Sequence, residues 1–465
     1  MGIASTLDDG AVRRILADRV DVQRRSVGMV VGLITRDGCR LVSHGRIDHG
    51  VERPLDGDTV FELASITKVF TSLLLADMVL RGEVALDDPV ARHLPAWVKV
   101  PGRKGRQITL VDLATHTSAL PLSTDHPGIA TPAGDTYSVD QLNRFLGTCE
   151  LTRDIGSQWE YANVDVVLLG HALAHRAGMD YSELIRARVT GPLGLASTGI
   201  DLSPAMAPRL AVSHDADLKP VPRMAFGAYA PAGGMLSSAN DLLRLLAIAL
   251  GFQPPFSPAL TLLLQTRRPW QPPIWTMLRQ HWRTMARMVL SRPRGPRVPR
   301  VQTEQALGWY VHRQNGNEMV VHDGSSATCA TSIAYDPKAG AGVVVLSNTG
   351  TMVTDISRHL LWGWPLAKAR RQISLDPAVL DRYVGKYGTG FGPPVAITRA
   401  GDRLVLDFSF VGMLEVRPES ERDFFIPEFG LGFRFELDER GQVTRSFFQP
   451  GRGMPEMQVK RIPTS

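Results

Sequence analysis

Apolar residues recur at helical spacing between residues 8 and 24, at Val12, Ile15, Leu16 and Val20. That period predicts an amphipathic helix. The pattern then changes. Residues 28–34 read Gly-Met-Val-Val-Gly-Leu-Ile and residues 39–44 read Cys-Arg-Leu-Val-Ser-His, with Asp37-Gly38 between them. Two short apolar runs around an Asp-Gly pair predict a β-hairpin. A long apolar segment follows from about Ser65 to Arg81 and stops at Gly82, as a helix does when glycine takes the position after its last turn.

Residues from about 105 to 250 are mainly helical in pattern, broken by polar stretches such as 117–137. Strand patterns return at 319–322, 331–335 and 342–346, with a turn at 336–340 and a helix over about 353–370. The two ends of this region therefore supply one antiparallel sheet, and the middle supplies helices. The expected fold is α+β: an antiparallel sheet flanked by helices, with a helical subdomain beside it. A crevice between the two is the expected place for a site.

From about residue 375 the texture is different. Short alternating segments at 395–398, 403–408, 433–437, 443–448 and 457–462 are separated by turn signals at 400–402, 438–441 and 451–453. This predicts a small antiparallel β barrel. The expected division is a catalytic domain over 1–370 and a barrel over 371–465.

Composition narrows the class. The chain has 465 residues, 44% hydrophobic and 21% charged, with a formal net charge of +6. That excess is modest for the length, and basic residues are not interleaved with aromatics along most of the chain, so nucleic acid is not an expected partner. Cys39, Cys149 and Cys329 are too scattered for a disulfide framework or a zinc site, in keeping with a reducing compartment. The first residues lack a basic start followed by a long apolar stretch. The expected location is therefore cytoplasmic, or periplasmic or secreted if a leader has been removed. There are 8 Lys against 44 Arg. A lysine kept inside an apolar segment of such a chain invites a chemical reason, because only lysine can shed its proton when its surroundings favour the neutral form.

Lys68 is that lysine. It lies three residues after Ser65, so the two share a helix face and the amine can reach the hydroxyl. A helix N-terminus lowers the amine's pKa and stabilises an oxyanion, and the Ser65 N–H is well placed as a donor to it. Tyr161-Ala-Asn163 is a second constellation: a Tyr beside a Lys can relay a proton, and an Asn can orient that Lys and bond a substrate carbonyl. His322-Asp323-Gly324-Ser325 is a third, at the end of a strand. There the glycine admits substrate backbone, the Ser325 N–H serves as a second oxyanion donor, and His322 can donate near Tyr161 or the leaving group. Each has an ordinary structural alternative: a helix-capping Ser, a capping Asn, a strand-end turn.

Together the three resemble the serine β-lactamase and penicillin-binding-protein-like hydrolases, on the side of the class C β-lactamases, D-aminopeptidases and related esterases. The wording at 112–118, 192–195, 231–234, 237–241 and 308–309 is similar to that family too. The resemblance covers about 10–365, and the C-terminal part resembles a lipocalin-like domain that some of these hydrolases append. It implies that Ser65 is acylated, that Lys68 and Tyr161 transfer protons, and that Asn163 orients Lys68 and the substrate amide. It further implies that the Ser65 and Ser325 N–H groups form the oxyanion hole, and that His322 fills the third-motif position. β-Lactamases usually carry a Lys there, whose cation holds a substrate carboxylate. His322 and Asp323 stand in its place, and an Asp repels a carboxylate. Esters, or D-amino-acid amides and peptides, are therefore expected ahead of β-lactams or a DD-carboxypeptidase substrate. An acyl transferase and a non-catalytic binder of peptide or peptidoglycan are the other readings.

Three further signals weigh less. His171 and His175 are one helical turn apart but lack the neighbouring Glu and a third ligand, so no metal is expected. Residues 388–392 are not placed as a phosphate loop, and no other cofactor motif is read. No Gly-x-Ser-x-Gly occurs, which argues against the α/β-hydrolase route. Over 267–300, Trp275, Leu278, Trp282, Met285 and Val289 fall on one helical face and Arg279, Arg283 and Arg287 on another. This pattern is read as a packed helix with a solvated Arg face, with a lid or a membrane-surface helix as alternatives. A small-molecule or peptide substrate is the expected partner; the oligomeric state is not legible.

Overall fold

The structure, a computed structural model, describes residues 8–367 and 372–462 apart from residue 52 and the segments 122–135, 254–256, 270–300, 389–394, 409–411, 427–430 and 450–455. The basic stretch over 275–300 and the turn at 451–453 lie outside the described residues. The chain divides into two compact units, Met1–Leu366 and Ala367–Ser465.

The larger unit is built on an eight-stranded antiparallel sheet. Its order is Gly38–Gly45, Gly28–Thr35, Ala341–Ser347, Ala330–Asp336, Asn317–Ser325, Tyr310–Gln314, Gln302–Gln305 and Arg268–Pro269. The predicted hairpin is present, with Thr35 opposite Gly38. The central strands are buried along almost their whole length. Helices cover both faces of the sheet, which is why these strands read as unbroken apolar runs.

Successive residues point to opposite faces of a strand. Val30 and Ile34 thus join the core on the side of the helical subdomain, with Val344, Leu346 and Ile333. Met29, Val31 and Leu33 join the other core, with Val343, Val345 and the helix residues Val12, Leu16, Ile356 and Leu360. The helices Asp9–Ala17 and Thr354–Trp362 lie on that second side.

The helix Thr67–Leu80 is buried almost from end to end. Phe70, Leu73, Leu74 and Leu75 are all fully buried in the first core, each contributing on the order of 1.5–3 kcal/mol by leaving water. A helix buried on all sides takes in a cationic side chain only for a reason, and Lys68 is among its buried residues. Among the described residues, no helix is long and apolar enough to cross a membrane.

The second unit is a closed antiparallel barrel of eight strands, from Gly385–Gly388 to Met457–Ile462, paired in chain order. Five of these strands were legible as alternating runs. The strands Gly385–Gly388, Gly412–Pro418 and Asp423–Ile426 complete it. Phe424, Phe433, Phe435, Tyr383 and Tyr387 fill its core.

Candidate active site

Ser65 is the second residue of a 3-10 turn, Ala64–Ile66, and the α-helix begins only at Thr67. The expected helix start at 65 is thus a tighter turn feeding the helix. Ala64 holds φ +46, a left-handed conformation that costs a non-glycine residue roughly 1–2 kcal/mol. The surroundings fix it: Ile66 N–H donates to Leu63 O, Thr67 Oγ1 donates to Ala64 O at 2.7 Å, and Leu63 N–H donates to Met235 O. This turn leaves the Ser65 side chain half-buried and facing Lys68 and Tyr161.

Lys68 Nζ donates to Ser65 Oγ at 2.9 Å and to Ala232 O at 2.7 Å. Burial lowers its pKa to about 7. Tyr161 OH donates to Ser65 Oγ at 2.8 Å, and its ring lies 5.0 Å from Lys68 Nζ. Burial pushes the Tyr161 phenol well above its ordinary range, against the pull of its bond to Ser65. Ser65 Oγ therefore meets an amine that titrates near neutrality and a phenol that keeps its proton.

Asn163 opens the helix Asn163–Ala177, two residues from Tyr161, and is half-buried. It was expected to orient Lys68, yet among the described residues no hydrogen bond joins the two side chains. The carbonyl of Ala232 holds the amine instead. Three neighbouring polar groups of one helix stitch the 231–235 segment in place: Thr71 Oγ1 to Pro231 O at 2.6 Å, Lys68 to Ala232 O, and Met235 N–H to Thr67 Oγ1 at 3.1 Å. Ala232 was flagged only through the wording of its segment, because a backbone acceptor has no signature in residue type.

His322 is buried, and its Nδ1 stands 2.8 Å from Asp323 O. Only a protonated nitrogen can make that bond, so Nδ1–H donates and Nε2 is left as an acceptor. Burial and the nearby Lys68 amine lower the His322 pKa to about 3. The ring also packs against Tyr310, 5.3 Å between centroids.

Asp323 lies on the opposite face of the strand. Its carboxylate bonds to Ser332 Oγ at 2.7 Å and to the Arg358 guanidinium at 3.1 and 2.6 Å. The expectation that Asp323 repels a substrate carboxylate is corrected on this point: the Arg358 guanidinium balances its charge. Gly324 is also corrected. A side chain there would meet Leu63 O and Thr331 Oγ1, so the close approach it permits is that of the chain's own backbone just before Ser65. Ser325 is exposed at the end of the same strand.

His171 Nε2 bonds to Ala228 O at 2.8 Å and His175 is exposed, so the pair has no shared focus.

The family model described as Beta-lactamase matches residues 12–361. The chain belongs to the beta-lactamase family. Within that family it is similar to the D-alanyl-D-alanine-carboxypeptidase/endopeptidase AmpH of Escherichia coli K12, 35% identical over 232 residues, 49% of this chain and 58% of that protein. It is also similar to esterase EstB of Burkholderia gladioli, 32% identical over 274 residues, 51% of this chain and 68% of that one. A class C beta lactamase structure from Rhodobacter sphaeroides superimposes with a TM-score of 0.57 at 25% identity, covering 75% of this chain and 96% of that one. The match thus spans little more than half the length of the AmpH relative. The beta-lactamase/transpeptidase-like fold expected from the three motifs is the fold found.

Proposed function

We propose that this family member is a serine hydrolase that works through an acyl-enzyme, on esters or on amides and peptides that bring no free carboxylate to the third-motif position. The observation that carries the reading is the double contact at Ser65 Oγ, with Lys68 on one side and Tyr161 on the other.

Neutral Lys68 takes the Ser65 proton as Oγ attacks the carbonyl carbon. The Ser65 and Ser325 N–H groups face the oxygen that becomes negative. Tyr161 gives its proton to the departing oxygen or nitrogen and recovers one from Lys68, so the proton leaving Ser65 ends on the leaving group. Water then attacks the ester of Ser65, with the same pair running in reverse.

Two features support the substrate class. His322 offers a neutral acceptor where a cation would hold a carboxylate. The guanidinium beside Asp323, that of Arg358, is already committed to that carboxylate. An ester, or a peptide bond within a chain, meets such a site without an unpaired charge. The name of the AmpH relative includes an endopeptidase, and that of EstB an esterase.

The test compares wild type with Ser65→Ala on a short-chain nitrophenyl ester, a D-alanine nitroanilide and a chromogenic cephalosporin. Turnover of the first or second, lost in Ser65→Ala, supports the reading. Preference for the cephalosporin rejects the substrate class. Equal inactivity of both proteins on all three favours a binder.

A further inference from the structure

Behind Tyr161 lies a buried cluster that the proposed reaction does not use. Asp165 sits in the first turn of the helix Asn163–Ala177 and is 1% exposed. Its Oδ1 accepts from Ser118 Oγ at 2.5 Å, and its Oδ2 stands 3.3 Å from His116 Nδ1. His116 is 2% exposed, and the same Nδ1 accepts from the Ala162 N–H at 3.3 Å. The imidazole packs on the Tyr161 ring, 4.7 Å between centroids.

A nitrogen that accepts from a backbone N–H carries a lone pair towards it. A bare carboxylate oxygen facing the same nitrogen would set two acceptors against each other in a buried place, which costs a few kcal/mol. A proton on Asp165 Oδ2 removes the conflict, since the carboxylic acid then donates to Nδ1 while its other oxygen accepts from Ser118. Burial favours the neutral form of both groups: it raises the Asp165 carboxyl well above its ordinary range and lowers His116 to about 3. The Ser118 bond and then Arg153 oppose this at Asp165, whereas Asp112 and Glu160 add to it. On the His116 side, the Lys68 amine further disfavours a second cation.

We infer that Asp165 is a positioning residue, a buried carboxylic acid that clamps neutral His116 so that the imidazole and the Ala162 amide hold Tyr161 against Ser65. The inference rests on the hydrolase reading for its kinetic consequence, not for its geometry. Keeping the pair neutral also avoids an anion at Asp165, which would hold the Lys68 proton on and raise its pKa.

The test uses the full chain with Asp165→Asn and Asp165→Ala beside Ser65→Ala. An Asn keeps the shape, donates from its amide to His116 Nδ1 and accepts from Ser118. It should retain kcat within about threefold and keep the wild-type pH profile. An Ala should lower kcat about tenfold or more with KM within about twofold, because binding groups are untouched while the Tyr161–Ser65 alignment is loosened. An Ala variant with wild-type kcat overturns the inference. So does an Asn variant as impaired as the Ala variant, since that would mean the carboxylate charge is needed. Histidine-ring 15N spectra give a readout that needs no turnover. His116 should show Nε2 protonated and Nδ1 bare from about pH 5 to 9 in wild type and in Asp165→Asn. A proton on Nδ1 in wild type overturns the inference even if no substrate is found. Absence of Ser65-dependent turnover, with the expected spectra, rejects the hydrolase reading alone.

Discussion

Lys68 donates to the carbonyl oxygen of Ala232 at 2.7 Å, from inside a helix whose other buried positions are largely apolar. A carbonyl cannot accept a proton, so this bond positions the amine without neutralising it, and burial alone brings its pKa to about 7. The rate should follow that titration. Below about pH 7 the amine is charged and cannot take the Ser65 proton, so kcat/KM should fall about tenfold per pH unit. Above it, the rate should level off. A pH profile of kcat/KM checks this; an acid limb centred near the carboxylate range would assign the base to another group.

Burying that amine opposes folding. Between about pH 7 and the ordinary lysine value of 10.5, the unfolded chain holds a proton on Lys68 that the folded chain does not. Folded wild type therefore gains stability as pH rises through that window. Lys68→Met holds no such proton. It should be inactive yet more stable than wild type by about 1–3 kcal/mol below pH 7, after the lost bonds to Ala232 and Ser65 are set against the gain. The advantage should shrink towards pH 10.5. Denaturant melts of both proteins at several pH values would decide it, and a destabilised Lys68→Met at every pH would show that the two hydrogen bonds outweigh the desolvation.

Gly324 should be needed for folding before it is needed for substrate. An added methyl there drives into Leu63 O and Thr331 Oγ1, and Leu63 is two residues before Ser65. Gly324→Ala should lower stability by about 1–3 kcal/mol in the absence of any ligand, with loss of turnover as the 63–65 turn shifts. An unchanged melting temperature with a raised KM would restore the role in admitting substrate backbone.

The Asp323–Arg358 pair is largely but not wholly removed from water, with 26% and 13% of the side chains exposed. Arg358→Met should therefore cost about 1–3 kcal/mol, less than a fully buried pair would. Arg358 and the Ser332 bond hold the Asp323 carboxyl below its usual range, so its contribution is present above the unfolded value and is lost as pH falls through the folded one. Asp323→Asn combined with Arg358→Met should cost less than the two single changes added together, because each single change strands a partner. Additive costs would mean the two groups stabilise the fold independently.

Much of this was legible in the chain, for identifiable reasons. The central strands are covered on both faces, so they appear as apolar runs at 28–34, 331–335 and 342–346. Ser65, Lys68 and Tyr161 were legible because side-chain chemistry at fixed spacing leaves few alternatives. What was hidden depends on backbone and on facing. Ala232 acts through a carbonyl, which any residue could supply. The sign of the Asp323 effect depended on which side of the strand it faces and on Arg358, 35 positions away. The strands Gln302–Gln305 and Tyr310–Gln314, inside one end of the sheet, carry mixed polar residues and half-buried patterns, so they lack a strand's clear alternation.

His322 sets the last expectation. A neutral ring whose acceptor nitrogen makes no hydrogen bond among the described residues suits an uncharged group, and the Lys68 amine is close enough to depress its titration. His322→Gln keeps a neutral acceptor and should leave ester turnover within about tenfold of wild type. His322→Lys places a second amine in the field of the first. Two cations in one buried site repel, so the acid limb of the pH profile should move below about 7 as Lys68 gives up its proton more readily. The same cation should improve the relative kcat/KM for a substrate with a free carboxylate over its methyl ester, the reverse of the wild-type order. Parallel assays of one acid and its methyl ester on the three proteins measure this directly. If His322→Lys shifts the acid limb but not the acid-to-ester ratio, the residue faces Lys68 without facing substrate, and the proposed substrate class loses its main support.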